Sequence, residues 1–159
     1  MRVDQLMTNE VATCGPDETL NDAARIMWER DCGFVPITET GSNRRVVGVV
    51  TDRDICIGAY TQGQALGQIP IGAVMSRNVH SCKPSDDLAT VEATLRGAQI
   101  HRLPVVDDDG HLLGVISLAD IAQAAQERGS RRHAVTPAEI GDTVAAIRQR
   151  REIRTAPTA

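Results

Sequence analysis

Two tetrapeptides hold the residues best suited to chemistry, Thr51-Asp52-Arg53-Asp54 and Ser117-Leu118-Ala119-Asp120. Each follows a hydrophobic stretch with a leading glycine, Gly48-Val49-Val50 and Gly114-Val115-Ile116. A hydroxyl followed three residues later by a carboxylate admits two readings. It is a capping box if Thr51 and Ser117 cap a helix while Asp54 and Asp120 reach back to the cap N–H, although Glu or Gln is the usual partner and Asp stands here both times. It is a ligand site if the hydroxyl and the free N–H groups of the helix end meet a phosphate. The aspartate one turn on would then accept hydrogen bonds from the two adjacent hydroxyls of a ribose. A carboxylate repels a phosphate, so the sugar must lie at the aspartate and the phosphate at the hydroxyl. On that reading each phrase describes an oriented nucleoside phosphate.

The elements that must position these residues occur twice. Met7, Val11, Cys14, Pro16 and Leu20 return 68 residues later as Met75, Val79, Cys82, Pro84 and Leu88, and Val35-Pro36-Ile37 returns as Leu103-Pro104-Val105. The first copy has two more residues before Gly48, after which the offset is 66. A long period present only twice indicates two half-domains packed on each other rather than a solenoid. In each copy a short opening helix (3–7 or 71–75) precedes a brief strand (11–14 or 79–82). Pro16-Asp17 or Pro84-Ser85 then supplies a turn and an N-cap. Apolar residues at helical spacing follow, namely Leu20, Ala23, Ala24 and Met27, or Leu88, Val91, Leu95 and Ala98. Two strands come next (35–38 with 46–50, and 103–106 with 112–116), joined through Thr40-Gly41-Ser42-Asn43 or Asp107-Asp108-Asp109-Gly110. A closing helix starts at Thr51 or Ser117. The order β-α-β-β-α predicts an α+β fold in which two small sheets pair, because one copy alone buries too little apolar surface. The divisions are 1–60 for the first repeat, 61–70 for a linker, 71–128 for the second repeat and 129–159 for a helical extension and tail.

With these phrases in place, the chain resembles a tandem pair of cystathionine-β-synthase (CBS) domains over roughly residues 1–125. The resemblance rests on Gly48 to Ile55 and Gly114 to Ile121, on the Val35-Pro36 and Leu103-Pro104 strands, and on the frame that opens each copy. It implies a non-catalytic sensor that binds AMP, ADP, ATP, S-adenosylmethionine or NAD between the repeats, and a disc-shaped homodimer. Carried onto this chain, the first site has Thr51 for phosphate and Asp54 for ribose, with Thr13, Phe34, Val35 and Pro36 around the base. The second has Ser117 and Asp120, with Ser81, Arg102, Leu103 and Pro104. Arg53 offers the first site a local cation that Leu118-Ala119 does not offer the second. Arg102 either supplies the second site or reaches across the pseudo-twofold, and both arginines can equally be solvated surface residues. No resident cofactor is implied beyond the adenine nucleotide as regulatory ligand.

Bulk properties narrow the function classes. Residues 1–126 hold 10 Lys/Arg against 17 Asp/Glu, and residues 127–159 hold 7 Arg against 4 acids, so an acidic body carries a basic tail. That balance argues against nucleic-acid binding by the body. No run approaches the ~20 apolar residues of a membrane helix, and a soluble, cytoplasmic protein is expected without membrane partners. The four cysteines lack CxxC spacing; Cys14 and Cys82 are expected to pack, the alternative being a redox pair where they meet. His80-x-Cys82 provides two metal ligands where zinc wants four, and Asp107 to Gly110 fits a hairpin better than a calcium loop. Thr136-Pro137-Ala138-Glu139 signals a further helix with Ile140, Val144 and Ile147 on one face, leading to Arg148, Arg150, Arg151 and Arg154. That segment either docks on the body or serves as an arm for an acidic partner or RNA. The rival functions are thus a ligand-free dimerisation module and a nucleic-acid regulator working through the tail.

Overall fold

A computed structural model describes residues 1–41, 44–127 and 136–149. The elements are α1 (Leu20–Glu29), β1 (Phe34–Thr38), β2 (Val46–Thr51), α2 (Asp52–Gln62), α3 (Leu88–Ala98), β3 (Arg102–Val106), β4 (Leu112–Ser117), α4 (Leu118–Glu127) and α5 (Pro137–Arg148). Short 3-10 turns at Val3–Gln5 and Ile71–Ala73 open the two copies. β1 pairs antiparallel with β2, and β3 with β4, as two separate two-stranded sheets. The α+β fold with paired repeats is therefore as expected. The first helices begin later than expected, with caps at Thr19 and Asp87 rather than Asp17 and Ser85. Residues 15–18 are closed into a turn by the Glu18 N–H on the Gly15 carbonyl, so Asp17 precedes the helix instead of capping it.

The expected strands at 11–14 and 79–82 reduce to one bridge each, Cys14 with Ile37 and Cys82 with Val105, both parallel. Proline explains the truncation. The Cys14 N–H reaches the Pro36 carbonyl at 3.4 Å and the Thr38 N–H reaches the Cys14 carbonyl at 2.9 Å. The next parallel rung on one side needs an N–H at position 36, and on the other side at position 16. Both are proline and have none to give. Pro104 and Pro84 stop the second copy in the same way, leaving Cys82 N–H to Pro104 O at 3.1 Å and Val106 N–H to Cys82 O at 2.9 Å.

The two copies exchange their opening segments. Val3, at the head of the first copy, is fully buried in the core of the second, among Leu88, Leu103, Ile116 and Ile121. Ile71 and Met75, at the head of the second, lie in the core of the first with Leu20, Val35, Ile37 and Val50. Thr8 bridges Val115 of β4, and Ser76 bridges Val49 of β2. The glycines of the repeated phrases make this crossing possible. A methyl carbon at Gly114 would lie 2.7 Å from the Thr8 carbonyl oxygen, and one at Gly48 would lie 2.7 Å from Met75 Sδ. At the far end the hairpins join as well, through Val46 N–H to Gly110 O and Leu112 N–H to Arg44 O, each 3.0 Å.

α5 is capped by Thr136, whose Oγ1 accepts from the Glu139 N–H while the Glu139 carboxylate returns to the Thr136 N–H. It lies on α3 and α4. Its buried face holds Thr143 and Ile147, with Ile140 half-buried, while Val144 points outward. Thr143 takes the place expected for Val144 because α3 presents polar groups there. The Thr143 hydroxyl donates to the buried Glu92 carboxylate and accepts from Arg96 Nη2 at 2.8 Å. The arginines at 150, 151 and 154 lie outside the described residues.

Candidate functional site

Both hydroxyl–carboxylate phrases fold into capping boxes. The Thr51 N–H and Oγ1–H donate to Asp54 Oδ2 at 2.9 and 2.8 Å, and the Asp54 N–H returns to Thr51 Oγ1 at 3.3 Å. The Ser117 N–H and Oγ–H donate to Asp120 Oδ2 at 2.7 and 2.6 Å, with the return bond at 3.3 Å. Capping therefore uses one oxygen of each carboxylate. Among the described residues Oδ1 of Asp54 and of Asp120 takes no hydrogen bond, and all four residues are half-buried. A carboxylate oxygen has about two acceptor directions, so each aspartate can cap its helix and still receive a diol.

The helix ends differ in what they leave for a phosphate. In the first copy the Asp52 N–H reaches the Gly33 carbonyl at 3.4 Å, the Arg53 N–H is taken by Asp52 Oδ1 at 2.8 Å, and the Asp54 N–H is taken by Thr51. In the second the Leu118 N–H is bonded to the His101 carbonyl and the Asp120 N–H to Ser117, while Ala119 N–H has no partner among the described residues. The donors expected to be free at both ends are thus satisfied internally in the first copy, one of them by an aspartate side chain that adds negative charge. The second copy has a buried leucine at the equivalent of Asp52.

The remaining candidates divide by accessibility. Phe34 faces Thr51 across the first hairpin and Arg102 faces Ser117 across the second, and both are half-buried. Val35 and Leu103 have no accessible surface and belong to the two cores; Pro36 and Pro104 are buried beside them. Thr13 is half-buried and Ser81 exposed. Arg53 is exposed and makes no ion pair among the described residues. Arg102 reaches the first copy, since a methyl carbon at Gly33 would lie 3.7 Å from its Nη1 and 3.0 Å from Asp52 Oδ2.

Two concavities stand apart from the hydroxyl–carboxylate pairs, the first of them reaching the candidate Thr13. One of about 420 Å³ is lined by Thr13, Cys14, Asp17, Glu18, Glu39 and neighbours, an acidic wall that repels phosphate. Another of about 310 Å³ lies between α1 and α2, against Trp28 and Asp52. Neither includes Asp54 or Asp120. Volume and chemistry thus point to different places, and the repeated carboxylates carry more weight because they recur at pseudo-equivalent positions. Cys14 and Cys82 sit in separate cores, where burial pushes each thiol up to about 12, helped by Glu18 at Cys14 and Asp86 at Cys82. At the hairpin tip, ligand atoms of Asp107, Asp109 and His111 lie within 4.8 Å of one another. Asp107 is occupied there by the Asp109 and His111 N–H groups and by the His111 ring, which suits a turn.

Repeated strand–helix junctions around a pseudo-twofold define a two-repeat module. The CBS domain family model matches residues 3–57 and 71–127, and the chain belongs to that family. It is 35% identical over 134 residues to the CBS domain-containing protein YhcV of Bacillus subtilis (strain 168), covering 84% of this chain and 92% of that protein. It is 33% identical over 113 residues to inosine-5′-monophosphate dehydrogenase of Streptococcus pyogenes, where it spans 22% of the enzyme's length. The solved CBS domain protein TA0289 of Thermoplasma acidophilum superposes with a TM-score of 0.77 at 26% identity, covering 94% of this chain and 77% of that one. The CBS domain pair of protein MJ0100, solved with 5′-methylthioadenosine and S-adenosyl-L-methionine, superposes at 0.71 with 23% identity over 80% of this chain and 97% of that one. Among the described residues no helix is long and apolar enough to cross a membrane.

Proposed function

We propose that this CBS pair is a non-catalytic sensor of adenosine-containing ligands, with Asp54 and Asp120 each receiving a ribose diol on Oδ1. The observation that carries the reading is the unbonded Oδ1 on both aspartates, at equivalent places beside a capped helix end. The MJ0100 pair, of the same fold, was solved with two adenosine compounds. The two sites differ in ligand charge on this reading. The second, with Ser117, the open Ala119 N–H and no carboxylate at position 118, accepts a phosphate. The first, with Asp52 on its helix end, favours an uncharged or cationic nucleoside group. A homodimer belongs to the same reading.

Calorimetric titration with AMP, ADP, ATP, S-adenosylmethionine and NAD, with GMP as control, tests this. Saturable binding of at least one adenosine compound is expected, weakened by Asp120→Ala for a phosphate-bearing ligand. The absence of heat and of any rise in unfolding temperature across the panel refutes the reading and leaves the ligand-free module.

A further inference from the structure

The acidic concavity of the first repeat has a counterpart in the second, and there a lysine occupies the corresponding place. At the repeat offset of 68, Gly15, Glu18, Thr38 and Thr40 of the first copy become Lys83, Asp86, Val106 and Asp108. The backbone around them is alike in both copies. The Glu18 carboxylate accepts the Gly15 N–H and the Asp86 carboxylate accepts the Lys83 N–H, while the Thr38 and Val106 N–H groups reach the Cys14 and Cys82 carbonyls at 2.9 Å. In the second copy Lys83 Nζ crosses the turn to the Asp108 carboxylate. The bond to Asp108, then the fields of Asp108 and Asp86, hold the ammonium's proton above the ordinary lysine range.

The first copy has the acids without the cation. Gly15 has no side chain, and a methyl carbon built there would lie 3.5 Å from Thr40 Oγ1 and 3.6 Å from Glu18 Oε2. Those are the counterparts of the two acids around Lys83. The space left is the concavity of about 420 Å³, with Asp17, Glu18 and Glu39 on its wall and no lysine or arginine among the described residues that line it. Thr38 adds an independent sign of a ligand. It is 6% exposed and lines the concavity, yet its hydroxyl makes no hydrogen bond among the described residues. No side-chain oxygen sealed from solvent lacks a partner among those residues, so this hydroxyl opens into the concavity. An unused hydroxyl in a buried position is uncommon. The second copy, which supplies its own cation, has valine at that position.

We propose that this concavity binds an organic primary ammonium, carried by a small polyamine, in the place that Lys83 Nζ fills in the second repeat. An ammonium has three donors and no acceptor, which suits a wall of carboxylates with the Thr38 hydroxyl oxygen as a further acceptor. Asp17, Glu18 and Glu39 around one space call for more than a single positive charge, and that favours a polyamine over a lone amine. All three acids are exposed, so each ion pair contributes little and the affinity is submillimolar rather than nanomolar. Thr13 is on the lining too, but the site uses neither Thr51 nor Asp54 and stands apart from the ribose reading.

Calorimetric titration of the full chain with spermidine tests this, in about 0.15 M salt to screen scattered surface charge. Saturable one-to-one binding is expected, at least tenfold tighter than that of N-acetyl-lysinamide, which carries one ammonium. Gly15→Lys, which gives the first copy the cation of the second, is expected to weaken spermidine binding tenfold or more while keeping or raising the unfolding temperature. Thr38→Val, which copies Val106, should weaken it about fivefold, the loss of one hydrogen bond from a cation. Asp54→Ala should leave it unchanged. The absence of saturable heat overturns the proposal, as does full affinity in Gly15→Lys or Thr38→Val, or lost affinity in Asp54→Ala. N-acetyl-lysinamide binding as tightly as spermidine overturns the polyamine assignment in favour of a partner's lysine side chain. Displacement of spermidine by equimolar magnesium overturns the ammonium assignment in favour of an inorganic cation.

Discussion

Replacing the two phrase glycines by alanine should have unequal costs, although the residues are equivalent by repeat. At Gly114 the added carbon meets the Thr8 carbonyl oxygen at 2.7 Å and Met7 Sδ at 3.1 Å. That carbonyl is fixed, since it accepts the Val115 N–H at 3.0 Å while the Thr8 N–H donates to Val115 O at 2.9 Å. At Gly48 the 2.7 Å contact is Met75 Sδ, the end of a flexible side chain, and the nearest backbone atom, Ser76 O, is at 3.1 Å. Overpacking costs about 1–3 kcal/mol, and the lower chain entropy of alanine returns about 0.4–1 kcal/mol. Gly114→Ala should therefore destabilise by about 2 kcal/mol and Gly48→Ala by about 0.5–1. At about 2–4 °C per kcal/mol for a chain of this size, the unfolding temperature drops by roughly 6 °C against 2 °C. Urea denaturation of the single variants and of pairs with Met7→Ala and Met75→Ala measures the difference. Met75→Ala should relieve Gly48→Ala, whereas Met7→Ala leaves most of the Gly114→Ala cost in place. Equal costs, or a reversed order, would refute the exchange of opening segments over these strands.

Three further outcomes follow from the same structure. Asp54→Ala removes both the capping box and the proposed ribose acceptor; it should cost about 1 kcal/mol of stability and weaken ligand binding at its site about 30-fold or more, read by urea titration and calorimetry. Thr143→Val takes a hydroxyl from the buried Glu92 carboxylate, which keeps Arg96 Nη2 at 3.2 Å; a loss of about 1–3 kcal/mol is expected by thermal unfolding, and no loss would mean that α5 does not hold the second repeat. In the folded protein the exposed Cys56 should react with a disulfide reagent at pH 8 while Cys14 and Cys82 do not, because their thiols titrate near 12 against an ordinary 9.0. The folded state keeps those protons after the unfolded chain has lost them. The contribution of the two thiols to stability is therefore full below 9.0 and is lost as pH rises toward 12.

The doubled frame made the α+β pair, the two hairpins and the closing helices legible, because equal spacing in both copies separates structural positions from chance. Both capping boxes were legible at residue level, and both turned out to be compatible with a second role for each aspartate. Three features were not legible, for physical reasons. Which core an opening segment joins depends on the tertiary partner of Gly48 and Gly114, and Val3 or Ile71 has the same local sequence pattern in either core. The length of the strands beside β1 and β3 depends on N–H groups that Pro16, Pro36, Pro84 and Pro104 lack, a signal that was present but needed the parallel register to be read. The closing of the first helix end by Asp52 arises from a side-chain rotamer, which spacing does not encode.

The central claim is that Asp54 and Asp120 grip a ribose while still capping their helices, and a change in the ligand tests it without touching either cap. Calorimetry of the unaltered protein should be run with the adenosine compound it binds best and with the 2′-deoxy form of that compound. The account predicts affinity about tenfold or more weaker for the deoxy form, the loss of one charge-assisted hydrogen bond. Equal affinity for the two would contradict it and return both aspartates to capping alone.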